Sequence, residues 1–220
     1  MRQVRPMSVV RIGYMGIPGS NSEAAAMEFA EEQGWEDPIL IPLTDSARTV
    51  GAMLTGECDY GVVAVSNIEA GPVIETMDAL QGHDDIVTIG DKWLPIHHCV
   101  FVKGEPGEIT VVSSHIQALQ QCRRSLESLF PDADLMESED TALSAQHLAE
   151  GKLPDTAAVL CRRNAGEMFG LRMIHENIED NKENMTEFHL LARDRDAQRV
   201  RRLPFHGGPP GGGREGGPEA

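Results

Sequence analysis

The sequence has little positive charge, few aromatic residues and no long apolar run. Lys and Arg number 19 against 35 Asp and Glu, and a formal net charge of −16 argues against the basic face that nucleic-acid binding requires. Aromatic residues make up only 5% of the chain, so an aliphatic core is predicted. No apolar stretch reaches the roughly 18 residues of a transmembrane helix. The two arginines within positions 1–6 are not followed by an apolar segment, so we expect a cytoplasmic protein rather than a secreted one.

The cysteines and histidines do not form a metal-binding pattern. The four cysteines are dispersed and form no CxxC motif: Cys58, Cys99, Cys122 and Cys161. This spacing indicates neither a zinc site nor a dense disulfide framework, and it predicts reduced, mostly buried thiols. The adjacent pair His97-His98 has no further ligand nearby. The sequence therefore predicts no metal and no cofactor.

Apolar runs alternate with helical segments along the first third of the chain. Val9–Met15 predicts a buried strand, and a turn of small residues leads from it into a helix over Ala24–Gln33. Further strands are predicted at Ile39–Leu43 and Asp59–Val65, with a helix between them. Strands that alternate with helices imply βαβ units and a parallel sheet covered on both faces. The predicted fold class is therefore α/β.

The pattern changes near residue 85 and predicts a second lobe. Two long neighbouring strands, Ile86–Asp91 and Leu94–Lys103, indicate a crossover. We therefore divide a single domain of residues 8–193 into a first lobe, 8–84 with 184–193, and a second lobe, 85–183. Residues 204–220 are rich in Gly and Pro, cannot bury a core, and are predicted to be a disordered tail.

Four polar loops interrupt the apolar pattern, at residues 16–22, 66–71, 113–116 and 184–188. The first three follow predicted strands, and ligands of open α/β sheets bind at the carboxyl ends of strands. The first and third also begin helices, whose free N–H groups favour carboxylates and phosphates. The alternative for Ser20 and Ser114 is that each hydroxyl only caps its helix. Taken together, the loops predict a ligand cleft for a small anion.

Several collinear segments resemble the catalytic domain of the prephenate dehydratase family. The matching segments are Gly13–Gly16 with Gly19-Ser20, Asp59–Val63, Leu94–Ile96 with His98, Ser114-His115 with Gln117–Leu119, Thr141-Ala142, and Asn184 with Thr186 and Phe188. The resemblance covers roughly residues 10–193. It implies a two-lobed fold like that of periplasmic binding proteins, prephenate as substrate, and a homodimer. The regulatory ACT domain of the family is expected to be absent, because too few residues follow Phe188.

Two motifs depart from the family pattern. The family's Thr-Arg-Phe is Thr186-Glu187-Phe188 here, and its Glu-Asn-Ser loop is Ser66-Asn67-Ile68. Exchange of Arg for Glu reverses one charge, and one charge interaction is worth about 4 kcal/mol at about 4 Å and an effective dielectric of about 20. If residue 187 faces the cleft, the substrate is therefore placed differently. Strand alternation allows the opposite, with Thr186 and Phe188 on one face and Glu187 on the other.

These departures resemble the non-aromatizing prephenate decarboxylases of antibiotic pathways of the bacilysin and salinosporamide type. Such enzymes remove CO₂, protonate a ring carbon and retain the ring hydroxyl. The expected function is this decarboxylation; the alternatives are dehydration to phenylpyruvate and ligand binding without turnover. The expected catalytic residues are Thr186, Glu187 and Asn67. The expected substrate-binding residues are Ser20, Ser114, His115, Gln121, Thr76 and Phe188.

Overall fold

The computed structural model describes residues 9–206 and 208–209, and it places them in two α/β lobes, each built on one sheet. The first sheet has the strand order β2-β1-β3-β11-β5, with the short β4 beside β3; the second has the order β10-β6-β9-β7-β8. The first lobe contains β1 (Arg11–Tyr14), α1 (Asn21–Gln33), β2 (Ile39–Pro42), α2 (Ser46–Thr55), β3 (Tyr60–Asn67), β4 (Gly71–Pro72), α3 (Ile74–Leu80), β5 (Ile86–Pro95), β11 (Met185–Arg193) and α8 (Asp194–Ala197). The second contains β6 (Cys99–Val102), β7 (Val111–His115), α4 (Ile116–Gln121), α5 (Arg123–Leu129), β8 (Asp134–Ser138), α6 (Thr141–Ala149), β9 (Ala157–Cys161), α7 (Arg163–Met168) and β10 (Arg172–His175). The predicted α/β class and two lobes are confirmed.

Parallel strands and capped helices form the first half of the first lobe. β1 pairs in parallel with both β2 and β3, so their carboxyl ends lie at one edge of the sheet. The Ser20 hydroxyl oxygen accepts the Glu23 N–H at the start of α1, and Gly34 ends that helix in the left-handed conformation. Asp45 caps α2 in the same way. The polar loop that follows each strand is therefore held at the edge of the sheet.

The late strand β11 lies between β3 and β5 and is antiparallel to both. Its pairing with β5 runs from Met185 opposite Pro95 to Arg193 opposite Ile86. β5 therefore belongs to the first sheet, whereas the sequence interpretation assigned residues 85 onward to the second lobe. The chain instead passes from the first lobe to the second at residues 96–98. Periodicity identified β5 as a strand, but its partner lies about a hundred residues later, beyond the reach of any local pattern.

The second lobe is centred on β9, whose five residues are all buried. β9 pairs in parallel with β7 and antiparallel with β6. The helix expected to begin at the third polar loop is in fact two short helices, α4 and α5, that meet at Cys122. All four cysteines are free and buried, as predicted, and burial raises the pKa of Cys58 to about 11.

The segment after α8 runs along β5. The Leu203 N–H donates to the Ile89 carbonyl oxygen (2.9 Å), and the His206 N–H donates to the Asp91 carboxylate (2.9 and 3.0 Å). Residues 204–206, which the sequence interpretation placed in a disordered tail, thus contact the sheet. Of that predicted tail, residues 207 and 210–220 lie outside the described residues. Within the described chain, none of the helices combines the length and apolarity needed to cross a membrane.

Candidate active site

A cleft of about 590 Å³ lies between the two lobes. Its walls are the loops after β1 and β3, the start of α3, the start of β11, and the ends of β7 and β8 with the helices that follow them. Residues that line it include Ser20, Asn21, Asn67, Glu75, Ile96, His98, His115, Gln117, Gln121, Glu139, Asp140, Thr186 and Phe188. The structure thus places the carboxyl ends of parallel strands from both lobes around one cavity, where α/β folds bind ligands.

The loop after β1 brings Ser20 to the cleft and contacts the second lobe. Gly16 and Gly19 have φ values of 106° and 88°, which favour glycine. A Cβ on Gly19 would lie 2.9 Å from the Cα of Ala165 in α7, so the two lobes approach closely here. The Glu23 carboxylate accepts the Gly19 N–H (2.7 Å) and fixes the turn. Ser20 therefore caps α1 and also lines the cleft.

Asn67 and Thr186 form the hydrogen-bonded centre of the first-lobe wall. The Asn67 Oδ1 accepts the N–H groups of Glu69 and Ala70 (3.0 and 2.9 Å), so this oxygen is committed to the turn after β3. The Asn67 Nδ2 consequently points toward β11, where the Asn184 Oδ1 (2.9 Å), the Met185 carbonyl oxygen (3.0 Å) and the Thr186 hydroxyl oxygen (2.9 Å) share its two hydrogens; the Thr186 oxygen is thus an acceptor of an Asn67 hydrogen bond. Because the Thr186 oxygen accepts this bond, its own O–H is free to donate toward the cleft.

The same Asn67 amide group reaches a residue that sequence reasoning matched to the family but did not assign to the site. Asn184 is 1% exposed, and its Oδ1 lies 2.9 Å from Asn67 Nδ2. The Asn184 carbonyl oxygen accepts the Ile96 N–H. Asn184 thus ties β3 to the crossing between the lobes. Its position two residues before Thr186 is the signal that would have identified it, since alternate strand residues share a face.

His115 and Gln121 form the second-lobe wall. His115 ends β7 and caps α4, where its Nδ1 accepts the Gln117 N–H at 3.3 Å. Gln121 ends α4, and its Oε1 lies 2.9 Å from the Nε2 of His98. His98 comes from the crossing at residues 96–98 and is 4% exposed. Sequence reasoning identified Gln121 but not His98 as a site residue.

Three predicted site residues do not line the cleft. Ser114 is fully buried, and its hydroxyl donates to the Leu160 carbonyl oxygen (2.5 Å), because β7 and β9 are neighbours. Thr76 is 1% exposed; its hydroxyl donates to the Ala64 carbonyl oxygen and lies 2.7 Å from the Ser46 hydroxyl. Both hydroxyl groups form hydrogen bonds within their own lobe, and neither faces the cleft.

Glu187 is the third of these residues and faces the other side of the sheet. Thr186 and Phe188 point to the cleft side, where Phe188 also packs in the core beneath α1. The Glu187 carboxylate lies 3.2 Å from the Nε2 of His189, the next residue on its own face. The sequence left the direction of residue 187 open, and in this structure its side chain does not line the cleft that its expected catalytic role requires. The alternation of side chains along β11 is the physical reason.

The cleft carries negative rather than positive charge. Among the described residues that line it there is no Lys or Arg, whereas Glu75, Glu139 and Asp140 each contribute a carboxylate. Asp140 caps α6 by accepting the N–H of Ala142 (2.6 Å). Donors for an anionic ligand are therefore neutral: hydroxyls, amides and free N–H groups at the starts of helices. Within the described chain, His, Cys, Asp and Glu form no group of three suited to a metal ion.

A buried carboxylate holds the crossing between the lobes. The Glu179 side chain is 1% exposed and accepts the His98 N–H (3.0 Å) as well as lying 2.9 Å from His97 Nδ1. Burial acts to raise the pKa of Glu179, but the bonds from His98 and His97 outweigh it and lower the pKa below its usual range. Glu179 therefore stabilises the fold when it is ionised.

Replacement of Glu179 by Gln tests this contribution through pH. Since the folded-state pKa is lowered, the stabilisation is present above the ordinary glutamate pKa of about 4.3 and is lost as pH falls through the folded value. The wild-type free energy of unfolding should therefore fall between about pH 5 and pH 3, and Glu179→Gln should start lower and fall less. Urea titrations at several pH values measure both. The exposed neighbour Glu183 provides the control, and equal slopes for Glu179→Gln and Glu183→Gln would contradict the assignment.

The fold and the cleft define a class: a two-lobed α/β protein with a polar ligand site between its lobes. The family model described as "Prephenate dehydratase" matches residues 12–196, and the chain belongs to this family. The resemblance inferred from the motifs is confirmed at the level of the family.

Individual relatives carry dehydratase names. The chain is 36% identical over 191 residues to arogenate dehydratase 5, chloroplastic, of Arabidopsis thaliana, covering 85% of this chain and 43% of that protein. It is 33% identical over 196 residues to the bifunctional chorismate mutase/prephenate dehydratase of Escherichia coli K12, covering 88% and 49%. The crystal structure of a prephenate dehydratase from Arthrobacter aurescens in complex with L-Phe matches with a TM-score of 0.75 at 29% identity, covering 84% of this chain and 60% of that one. The chain spans less than half the length of these two curated relatives.

Proposed function

We propose that this chain is a lyase that removes CO₂ from prephenate or arogenate in the cleft between its lobes, with loss of the ring hydroxyl to give an aromatic product. The observation that carries the proposal is the Thr186 hydroxyl, held by Asn67 so that its O–H is free toward the cleft. The family and its dehydratase-named relatives support the same reaction class.

The chemistry of dehydration needs a donor of this kind. The bond from the quaternary ring carbon to the carboxylate breaks, and its electron pair completes the aromatic ring as the C–O bond on the opposite carbon breaks. Hydroxide is a poor leaving group, so a hydrogen-bond donor or acid must assist it. Thr186 is proposed to donate to the departing oxygen. Ser20, His115 and Gln121 are proposed to bind the carboxyl groups or the side chain of the substrate.

The second candidate is decarboxylation without dehydration, as expected from the motif departures. There the electron pair moves through the diene, a ring carbon takes up a proton, and the hydroxyl stays. The absence of Lys and Arg among the described cleft residues favours this outcome, because no cation stabilises a departing hydroxide. The position of Glu187 weakens it, since the exchanged charge lies on the other face of β11.

The negative charge of the cleft lining also affects which substrate the cleft favours. Arogenate carries an ammonium group where prephenate carries a keto group, so it brings one positive charge to a cleft lined by Glu75, Glu139 and Asp140. Both compounds therefore belong in the assay. The homodimer implied by the resemblance and the cytoplasmic location expected from the N-terminal composition stay predictions; light scattering on the purified protein tests the former.

One assay distinguishes the outcomes. Purified protein is incubated with prephenate and, separately, with arogenate at neutral pH, beside enzyme-free controls, and products are followed by absorbance and mass. Phenylpyruvate or phenylalanine supports dehydration. A product that has lost only CO₂ supports the decarboxylase. Turnover of neither compound, with binding still detected by calorimetry, identifies a ligand-binding relative and would sink the proposed reaction.

Substitutions at Glu187 are expected to leave the identity of the product unchanged. The side chain contacts His189 on the sheet face away from the cleft, so neither Glu187→Gln nor Glu187→Arg, which restores the family motif, alters the cleft lining. We expect kcat/KM within about twofold of wild type for Glu187→Gln. A different product from Glu187→Arg than from the wild type would show instead that this residue selects the reaction.

A further inference from the structure

The cleft contains a histidine–glutamine pair, and the proposed reaction has given a role to the glutamine only. His98 and Gln121 both line the cleft, and the His98 Nε2 lies 2.9 Å from the Gln121 Oε1. His98 is 4% exposed, and its second ring nitrogen, Nδ1, is buried without a hydrogen-bond partner among the described residues. One nitrogen of the ring is thus committed and the other is isolated.

The isolated nitrogen determines where the ring proton lies. Burial lowers the pKa of His98, so the ring is neutral and carries one proton. If that proton were on Nδ1, a buried N–H would lack an acceptor, which proteins avoid more strongly than an unsatisfied acceptor. With the proton on Nε2, the ring donates to the Gln121 Oε1 and only an acceptor is left unsatisfied.

This tautomer fixes the direction of the Gln121 amide. Its oxygen accepts from the histidine, so its NH₂ group is the end left for other partners, and it has none among the described residues. Both members of the pair are anchored at their backbones. The Asp180 N–H donates to the Gln121 carbonyl oxygen (2.7 Å), and the Ile178 N–H donates to the His98 carbonyl oxygen (2.8 Å). The backbones that carry both side chains are thus fixed at the wall of the cleft, and the His98 ring holds the amide itself.

We propose that His98 is a positioning residue that locks the Gln121 side chain with its NH₂ group toward the cleft, where it donates to a carboxylate or keto oxygen of the ligand. The pair supplies a directed donor without positive charge in a cleft that contains no Lys or Arg among its described residues. The identity of the ligand rests on the proposed function, whereas the orientation of the amide does not.

The orientation is tested first in the ligand-free protein. Nitrogen-15 NMR of the histidine side chains reports which ring nitrogen carries the proton, with His98→Asn used to assign the signal. A neutral ring protonated at Nε2 near neutral pH, with a resolved pair of Gln121 NH₂ signals, is the expected result. A ring protonated at Nδ1, or at both nitrogens near neutral pH, overturns the proposal.

The donor role is tested by calorimetry with prephenate and arogenate as probes. Gln121→Glu replaces the NH₂ by an oxygen of nearly the same shape and should weaken binding about 10- to 100-fold. The matched control is Gln120→Glu, which adds the same charge at the preceding, exposed position outside the cleft lining. Equal weakening by both variants would show a general charge effect and would contradict the proposed donor.

A double-mutant cycle separates positioning from a merely structural role. If His98 acts through Gln121, His98→Asn weakens binding in the wild type but adds little in a Gln121→Ala background. His147→Asn, which changes a histidine of α6 outside the cleft lining, should leave binding near wild type. Additive effects of His98→Asn and Gln121→Ala would overturn the coupling. A wild type that binds neither probe would sink the proposed function, while the ring tautomer still decides the orientation of the amide.

Discussion

Replacement of Thr186 by valine is expected to lower kcat by about 100-fold or more, with little change in the fold. Valine keeps the branched shape but removes the hydroxyl that Asn67 orients toward the cleft. Assistance to a leaving group by a positioned donor typically contributes about 10²- to 10⁴-fold to the rate. Steady-state kinetics with the preferred substrate, followed by product analysis, measures the loss. The fraction of product that keeps its hydroxyl should rise if CO₂ loss survives.

Thr76→Val provides the matched control. It removes a hydroxyl of the same type from the same lobe, but this hydroxyl bonds the Ala64 carbonyl oxygen and Ser46 in the interior. An unsatisfied buried partner costs about 1–3 kcal/mol, so Thr76→Val should lower the free energy of unfolding and leave KM unchanged. The opposite pattern, in which Thr76→Val abolishes turnover and Thr186→Val does not, would remove Thr186 from the reaction.

The second large effect concerns stability and is expected at Gly166. A Cβ at this position in α7 would lie 2.4–2.5 Å from three carbon atoms of the Phe101 ring. Phe101 is fully buried in the core of the second lobe, so the ring has no free space into which to move. Overpacking of this kind costs about 1–3 kcal/mol or more. We expect Gly166→Ala to lower the melting temperature by several degrees, as measured by calorimetry or circular dichroism.

Gly51→Ala is the control for the helix propensity of alanine. Gly51 lies within α2, and nothing stands within 4 Å of the Cβ that alanine would add. This substitution should therefore stabilise the protein by about 0.5–1 kcal/mol. If Gly166→Ala were also neutral or stabilising, the core around Phe101 would have to be looser than the structure shows.

Local sequence patterns predict helices and strands well where neighbouring residues determine the ends of the element. The predicted end of α1 at Gln33 is found in the structure, where Gly34 ends the helix, and so is the helix predicted between the second and third strands. Patterns fail where pairing is distant. The assignment of β5 to the first sheet depends on β11, and nothing within residues 86–95 reveals that partner. The break between α4 and α5 at Cys122 is likewise not marked by a Gly or Pro in the sequence.

In the candidate site, too, the sequence predicted what local residues determine and failed where distant strands decide. The sequence identified the polar loops that carry Ser20 and Asn67, because strand ends in an α/β fold converge at the cleft, and the resemblance implied Gln121, which ends α4. Which hydroxyl within a loop remains free depends on neighbours across the sheet. The Ser114 hydroxyl donates to the carbonyl oxygen of Leu160, forty-six residues later in the chain, and is therefore not free. The orientation of Glu187 was open from strand alternation alone, and the pairing of β11 with its neighbours decides it.

The central position of β11 has a consequence for the order in which the protein is made. Residues 99–175 are contiguous, so the second sheet can assemble as soon as they leave the ribosome, whereas the first sheet waits for residues 185–193. Until then β3 and β5 each present an unpaired edge, the kind of surface on which chains aggregate. The same late segment brings Thr186. A nascent chain therefore acquires the Thr186 hydroxyl in the same step that joins β3 and β5 into one sheet through β11, and an incomplete chain has neither.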